Sequence, residues 1–436
     1  MAGEGIVLRS SEDPRPGPNE ILPRVRASSL NYRDLMVLKG GGRGPTKLGV
    51  MPLSDGAGEV AAIGEGVTLV KVGDRVIGTF HPRWFGGPLS ADYLTDRPGA
   101  NLDGMLAEYA VLSEEALVPV PSHLSFEEAA TLPCAAVTAW AALAGHRRVT
   151  AGDTVLTQGS GGVSVFALQF ARVLGARVIA TTSTAEKAER LKVLGASEVI
   201  NYTETPDWDV KARELTDGRC VDCVVEIGGP GTIAKSLKAL AVGGHLSLIG
   251  ASLSPSGAML DPLLLTGRGI TVGAINIGSR ADFEAMNRTI AQHRLRPVID
   301  RTFPFAEANA ASPFRRPQPF RQGRDHTRMS GSVSPTRRTA LAGHIQHLLA
   351  CHGSSVAGRD SCSRGSVCQR PGGARQGPDS PPICGLHRHV RAPLSHSGSR
   401  GSRYDATCQA RRCRNTRLPA RLSPGASLER SREGLP

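Results

Sequence analysis

The last 125 residues of the chain contain no lysine. From Ser312 to Pro436 there are 22 arginines against 6 acids, a surplus larger than the formal net charge of +13 carried by all 436 residues. Residues 1–311 hold the remaining 30 basic and 33 acidic side chains, so this part is slightly acidic. That near balance removes the electrostatic case for nucleic acid or a membrane surface as its partner. No apolar run reaches membrane-spanning length, which excludes an integral membrane helix protein. Cysteine is scarce: Cys134, Cys220 and Cys223 are the only three before Ser312, and six more are scattered beyond it. Disulfide frameworks belong to small secreted domains, and nothing at the N-terminus reads as a signal peptide, so the cytoplasm is the expected compartment.

What is present changes texture twice. Residues 20–120 read as short strands between glycine turns, in EILPRVRASSL, GAGEVAAIG, GDRVIGTF and GMLAEYAVL. From Ser125 helical stretches such as FEEAATLPCAAVTAWAAL and VSVFALQFARVLG alternate with the buried-strand runs DTVLTQ, ARVIATT, SEVIN, CVVEIG and HLSLIG. Strand and helix in regular succession predict an α/β fold with a parallel sheet covered on both faces. After Ala311 the sequence turns rich in Arg, Ser, Pro and Gly with few aromatics, and only TALAGHIQHLLA could form a turn or two of helix. Such a segment has too little apolar surface to offset its ordering entropy, so a disordered C-terminal tail is expected over 312–436.

The run Gly159, Ser160, Gly161, Gly162, Val163, Ser164 stands between the strand DTVLTQ and a helix. A dinucleotide diphosphate needs a turn free of side chains there, so that backbone N–H groups and the helix N-terminus can face it. The third small position is Ser164 rather than Gly or Ala, a departure expected to loosen helix packing. A glycine triplet alone equally marks a surface turn; its place between strand and helix is what favours a cofactor. The next strand ends at Thr181, Thr182 and Ser183, where a carboxylate would hold the ribose of NAD. These hydroxyls, with Lys187 nearby, suit a 2′-phosphate and therefore NADPH over NADH, although Lys187 equally reads as a solvated first-turn residue. Tyr202 follows the next strand and could stack on the adenine side.

The motifs NYRDL (31–35), PLSDGAGEV (52–60), GDRV (73–76), FEEAATLPCAAVTAW (126–140), GSGGVSVFALQFA (159–171) and GSRADFEAMN (278–287) together resemble the medium-chain dehydrogenase/reductase superfamily. The likeness is greatest to its zinc-independent, quinone-oxidoreductase-like alcohol dehydrogenase branch, and it covers residues 4 to about 311. It implies a Rossmann doubly wound sheet inserted in a GroES-like, β-rich catalytic domain: 1–124 the N-terminal catalytic part, 125–279 the cofactor domain, and 280–311 a truncated return to the catalytic domain. It also implies a nicotinamide near Thr138 and Trp140, with Gly228, Ile249 and Gly278 completing the cofactor contacts. The far wall of the cleft would then carry Asn31, Tyr32 and Asp55.

Zinc-using relatives place a Cys three residues before an Asp, and a His in a Gly-His-Glu turn. Here Asn31 and Ser54 stand at those positions, and neither is a usual zinc ligand. Residues 81–104 contain no cysteine for a structural site, and the C-x-x-C of Cys220 and Cys223 has no second pair, so no metal is expected. Without zinc, hydrogen bonds must polarise the substrate oxygen. Tyr32 is the candidate proton or hydrogen-bond donor, Asn31 a second donor and Thr138 a third catalytic residue, with packing of the cleft wall an equal reading for Tyr32. Arg33 and Asp34 read as an ion pair, and Asp55 as a turn residue.

Members of the family close with a further helix and a strand resembling Ser-His-Phe-Gly-Lys-Val-Val-Ile, which is not in frame here. Reverse translation of Gln318–Thr327, read one nucleotide later, permits those eight residues in order. A reading frame that slips close to Ser312 would explain this, and GC-rich codons read out of frame would give a lysine-free, arginine-laden tail. The rival reading is a natural basic tail for acidic partners. Three functions follow: an NADPH-dependent oxidoreductase for a small carbonyl, enone, quinone or alcohol; a catalytically impaired dinucleotide-binding protein; or an Arg-tail nucleic-acid binder. Small-molecule substrate is the expected partner, without membrane, and a homodimer is left open.

Overall fold

The computed structural model describes residues 6–40, 44–249 and 260–310 and two further strands at 347–350 and 386–391. The first part builds an antiparallel sheet from short strands. These are β1 (Val7–Glu12), β2 (Glu20–Ser29), β3 (Asp55–Ile63), β4 (Arg75–Gly78), β5 (Leu112–Ser113) and β6 (Leu117–Pro119), with the short helix α1 (Tyr32–Leu38) after β2. Ile21, Val25, Ala27, Ala57 and Val60 turn inward along β2 and β3, the pattern of a sheet with one covered face. GMLAEYAVL departs from the strand expected of it. Its first residues bond to the irregular segment 51–53, with Met105 N to Leu53 O at 2.8 Å and Leu106 N to Pro52 O at 3.1 Å, while Glu108–Ala110 meet β2 through an isolated antiparallel bridge at Tyr109 and Arg24, and β5 continues that pairing.

Next come α2 (Phe126–Ala130), a π-type turn at Leu132–Ala136 and α3 (Val137–Ala144). Ser125 and Glu128 close a reciprocal capping box at the start of α2, at 3.1 and 2.8 Å, which fixes where the helical region begins. The second sheet then forms from β7 (Thr154–Gln158), β8 (Arg177–Thr182), β9 (Glu198–Asn201), β10 (Val221–Glu226), β11 (Leu240–Leu248) and β12 (Thr271–Ala274). All its pairs are parallel, in the order β12-β11-β10-β7-β8-β9. The chain thus walks outward from β7 in one direction, returns to β10 beside β7, and walks outward in the other.

Helices cover both faces, because β7 and β10 bury every residue and need apolar partners on each side. They are α4 (Gly162–Val173), α5 (Ala185–Val193), α6 (Trp208–Glu214), α7 (Ile233–Ala239), α8 (Pro262–Arg268) and α9 (Arg280–His293). One core gathers Trp140, Phe166, Phe170, Phe283 and Met286; the opposite one gathers Trp208, Ile233, Leu237 and Leu246. This is the predicted Rossmann arrangement beside a GroES-like β module.

After α9 the chain returns to the first sheet as β13 (Arg301–Pro304). Between β13 and β2 lies β14 (His347–Ala350), antiparallel to β2 and parallel to β13. The final residues of TALAGHIQHLLA are therefore strand rather than helix: an open slot between two strands offers unpaired backbone groups, and such tertiary pairing overrides local preference. β15 (Leu386–Arg391) pairs antiparallel with β1. The rest of the expected disordered tail lies outside the described residues. Among the described residues no helix is long and apolar enough to cross a membrane.

Candidate active site

A buried polar cluster starts at the head of α1. Asn31 is the N-cap, and its backbone N–H donates to the Asp34 carboxylate at 2.8 Å. Arg33 reaches Asp34 at 3.3 Å and the Pro98 carbonyl at 2.8 Å, and lies 5.0 Å from the centroid of the Phe80 ring. The expected ion pair is present, yet burial outweighs Arg33 and raises the Asp34 carboxyl to about 6.

Asp55 is not a turn residue. It opens β3, faces Ser29 across the pair with β2, and is fully buried. The Ser54 hydroxyl donates to one carboxylate oxygen at 2.6 Å, and the backbone N–H of Cys134 donates to the other at 3.0 Å. Burial raises its pKa to about 7, reinforced by the Asp34 charge, while Ser54, the Asn31 side chain and the Cys134 N–H oppose the rise. The Cys134 thiol is pushed well above its ordinary range by burial and by Asp55. Two buried carboxyls with one cation thus stand beside Asn31 and the π-type turn. No feature of the sequence signalled the depth of Asp55, since burial of a strand's first residue depends on what packs over it.

Of the three predicted catalytic residues, Tyr32 is 40 % exposed, whereas Thr138 is buried. The Thr138 hydroxyl donates to the Cys134 carbonyl at 2.6 Å, so this residue braces the π-type turn. Asn31 is half-buried; its side chain is near enough to the Asp55 carboxyl to favour the charged form, yet its amide nitrogen is buried without a hydrogen-bond partner of good geometry among the described residues. Trp140 packs edge-on against Phe170 at 5.5 Å. Cys220 and Cys223 are buried free thiols, and burial pushes Cys223 up to about 12, which leaves it inert at neutral pH.

The glycine turn sits at the C-terminal end of β7. Gly159 has φ of +72°, with open space where a Cβ would stand. Gly161 is the N-cap of α4 and supplies no side-chain acceptor, so the first N–H groups of a 12-residue helix face outward uncapped. Ser160, Gly161, Gly162 and Val163 are all half-buried. Ser164 does not loosen the packing. Fully buried, it donates to the Gln158 carbonyl at 2.6 Å and straps the helix to the strand. These features fit an anionic diphosphate.

Thr181 and Thr182 are 3 % and 1 % exposed. Thr181 accepts from the Gly159 N–H at 3.2 Å; Ser183, just past β8, and Lys187, in the first turn of α5, are both half-buried. Tyr202 is 42 % exposed just after β9. Gly228 follows β10, Ile249 follows β11, and Gly278 is buried so close to α3 that a Cβ would meet Val137 at 2.7 Å. Ser183, Tyr202, Gly228, Ile249 and Gly278 follow the C-terminal ends of their strands, and the glycine turn and Gly228 stand where the strand order reverses between β7 and β10, the place at which open α/β sheets bind ligands.

Comparison with known proteins agrees with this geometry. The family description "Alcohol dehydrogenase GroES-like domain" matches residues 17–122, and "Zinc-binding dehydrogenase" matches residues 162–292. A zinc-type alcohol dehydrogenase-like protein of Schizosaccharomyces pombe is 42 % identical over 301 residues, 67 % of this chain and 86 % of the relative. The chain belongs to the medium-chain dehydrogenase/reductase superfamily. Within the superfamily it is also 32 % identical to a quinone oxidoreductase of Pseudomonas aeruginosa, over 71 % of this chain and 91 % of that one. A crystal structure of a Sinorhizobium meliloti protein described as an alcohol dehydrogenase superposes with a TM-score of 0.67 at 35 % identity, covering 78 % and 92 % of the two chains. The chain is thus an oxidoreductase by family.

Proposed function

We propose that this chain is a zinc-independent, NADPH-dependent cytoplasmic oxidoreductase that moves hydride to or from a small carbonyl, enone, quinone or alcohol. The observation that carries the reading is the uncapped glycine turn at the head of α4, set at the reversal of a parallel sheet. The dinucleotide supplies the hydride; the chain supplies orientation and polar contacts. Tyr32, exposed at the first turn of α1, donates a hydrogen bond to the substrate oxygen as charge develops there, with the Asn31 amide beside it. Stopped-flow mixing with an enone or quinone panel checks this. Tyr32→Phe is expected to lower kcat about 10²-fold while leaving dinucleotide affinity unchanged, and an unaltered kcat removes Tyr32 from the mechanism.

The preference for NADPH rests on Ser183 and Lys187 just past the end of β8, with no carboxylate at the strand end. Fluorescence titration is expected to give a Kd for NADPH at least roughly tenfold below that for NADH, a difference of about 1.4 kcal/mol. Equal affinities count against it.

Zinc independence rests on the donor set. The cleft offers an Asn31 amide, a Ser54 hydroxyl and a Cys134 thiol that burial keeps protonated, whereas catalytic zinc requires thiolate, imidazole or an open carboxylate. Elemental analysis of the purified chain is expected to find zinc far below one equivalent, and chelation is expected to leave turnover unchanged. Stoichiometric zinc lost together with activity overturns the proposal. A dinucleotide-binding protein with impaired catalysis is the second reading, favoured by the absence of the closing strand motif in frame.

A further inference from the structure

We infer that Glu226 and Gln158 form a positioning pair that fixes the separation of the two loops flanking the dinucleotide site, an inference that rests on the dinucleotide reading above. Glu226 ends β10, is fully buried, and makes no salt bridge among those described. A lone buried carboxylate is strongly destabilising unless hydrogen bonds replace its hydration. Here each oxygen accepts two. Oε1 takes the Gly229 N–H at 2.8 Å and the Thr232 hydroxyl at 2.6 Å. Oε2 takes the Gln158 side-chain amide at 2.8 Å and the Ser236 hydroxyl.

Gln158 ends β7, directly before Gly159. Its side-chain carbonyl accepts the N–H groups of Ile227 and Gly228 at 3.2 and 3.1 Å, and its amide also donates to Ser236 at 2.7 Å. Its backbone carbonyl holds Ser164 at the head of α4, and Gly159 is tied onward to Thr181 on β8. One hydrogen-bonded chain therefore runs from the end of β8, through the glycine turn, to the turn at residues 227–232. The adenosine half of a dinucleotide lies on the β8 side of such a sheet. The turn after β10 then borders the other half, and the pair sets how far apart the two halves are held.

A network needed only for folding would not distinguish the halves of the ligand, and this supplies the test. Glu226→Gln turns one acceptor oxygen into a donor that faces either Gly229 and Thr232 or the Gln158 amide and Ser236, so either the turn at 227–232 shifts or the bridge to Gln158 is lost. Combining Gln158→Glu with Glu226→Gln exchanges the two groups and keeps every bond. The carboxylate, now at position 158, would accept from Ile227, Gly228, Ser236 and the amide nitrogen at position 226, while the amide oxygen at position 226 would accept from Gly229 and Thr232. Affinities of the full-length variants for NADPH and for adenosine 2′,5′-bisphosphate, which carries the adenosine half alone, are measured by titration at a temperature where both variants are folded by circular dichroism.

The expected result for Glu226→Gln is a rise of at least about tenfold in the NADPH Kd, with the bisphosphate Kd within about twofold of wild type. The exchange is expected to return the NADPH Kd to within about threefold of wild type. Parallel weakening of both probes, an unaltered NADPH Kd, or an exchange variant that refolds without regaining affinity overturns the inference. A wild-type chain that binds neither probe overturns the dinucleotide reading and this inference with it. Gln158→Leu supplies the second measurement if Glu226→Gln does not fold: it removes the bridge while leaving Gly229, Thr232 and Ser236 on the carboxylate, and the same split between probes is expected.

Discussion

Moving the reading frame by one nucleotide near Ser312 is expected to raise the melting temperature by roughly 5 °C or more and to raise turnover severalfold. We propose that residues 312–436 are out-of-frame translation, because the shifted codons of Gln318–Thr327 permit the eight residues of the family's closing strand in order. The structure contains a place for such a strand. The slot between β13 and β2 is filled by only four residues, His347–Ala350, paired with Ala27, Ser28 and Ser29 of β2. Those residues pair on their other side with Ala57, Gly56 and Asp55 of β3, so whatever occupies the slot lies two strands from the buried carboxyl cluster. An eight-residue strand with Val-Val-Ile would cover more of β2 and leave less sheet edge open to association. Differential scanning fluorimetry, size-exclusion chromatography and a turnover assay on both frames check this. Equal stability and turnover, or a protease-resistant core that includes residues 312–436, would establish the tail as a genuine part of the fold.

Stability is also expected to fall as pH rises from 5 to 8, and Asp55→Asn is expected to remove much of that fall. Asp34 and Asp55 titrate at about 6 and about 7 in the folded chain, above their ordinary value of 3.8, chiefly because both are buried. Between pH 4 and 7 the folded state therefore binds more protons than the unfolded state, and linkage makes stability decrease with pH across that window. The cost is absent below about 4 and complete above about 7. Every tenfold change in a carboxyl's proton affinity on folding corresponds to about 1.4 kcal/mol, so Asp55 contributes a loss on the order of 2–4 kcal/mol at pH 8. An asparagine can still accept from the Cys134 N–H with its carbonyl oxygen, without the buried charge. The variant should melt roughly 5 °C above wild type at pH 8 and within about 1 °C of it at pH 4.5. A wild-type melting temperature that rises with pH over this window would mean that Asp55 is ionised at little cost.

The architecture was legible because its signals are local. Buried-strand runs at β7, β8, β9, β10 and β11 alternate with helical spacing, and the glycine turn lies between β7 and α4 where the chemistry needs it. Misreadings arose where a neighbour distant in sequence took over the backbone. The start of GMLAEYAVL bonded to residues 51–53, so only its later residues reach β2, and the end of TALAGHIQHLLA became strand in the slot beside β2.

Side-chain roles divide along the same line. The sequence by itself determined the alternation of β and α, the position of the glycine turn and the charge break at Ser312, because residue type and short spacing dictate each of these. Only the tertiary structure decided that Asp34 and Asp55 share a buried site with Cys134, that Thr181 turns inward to hold Gly159, and that Gln158 and Glu226 join two loops 68 residues apart. Desolvation and hydrogen-bond geometry depend on which residues fold over a group, and no short stretch of sequence encodes that.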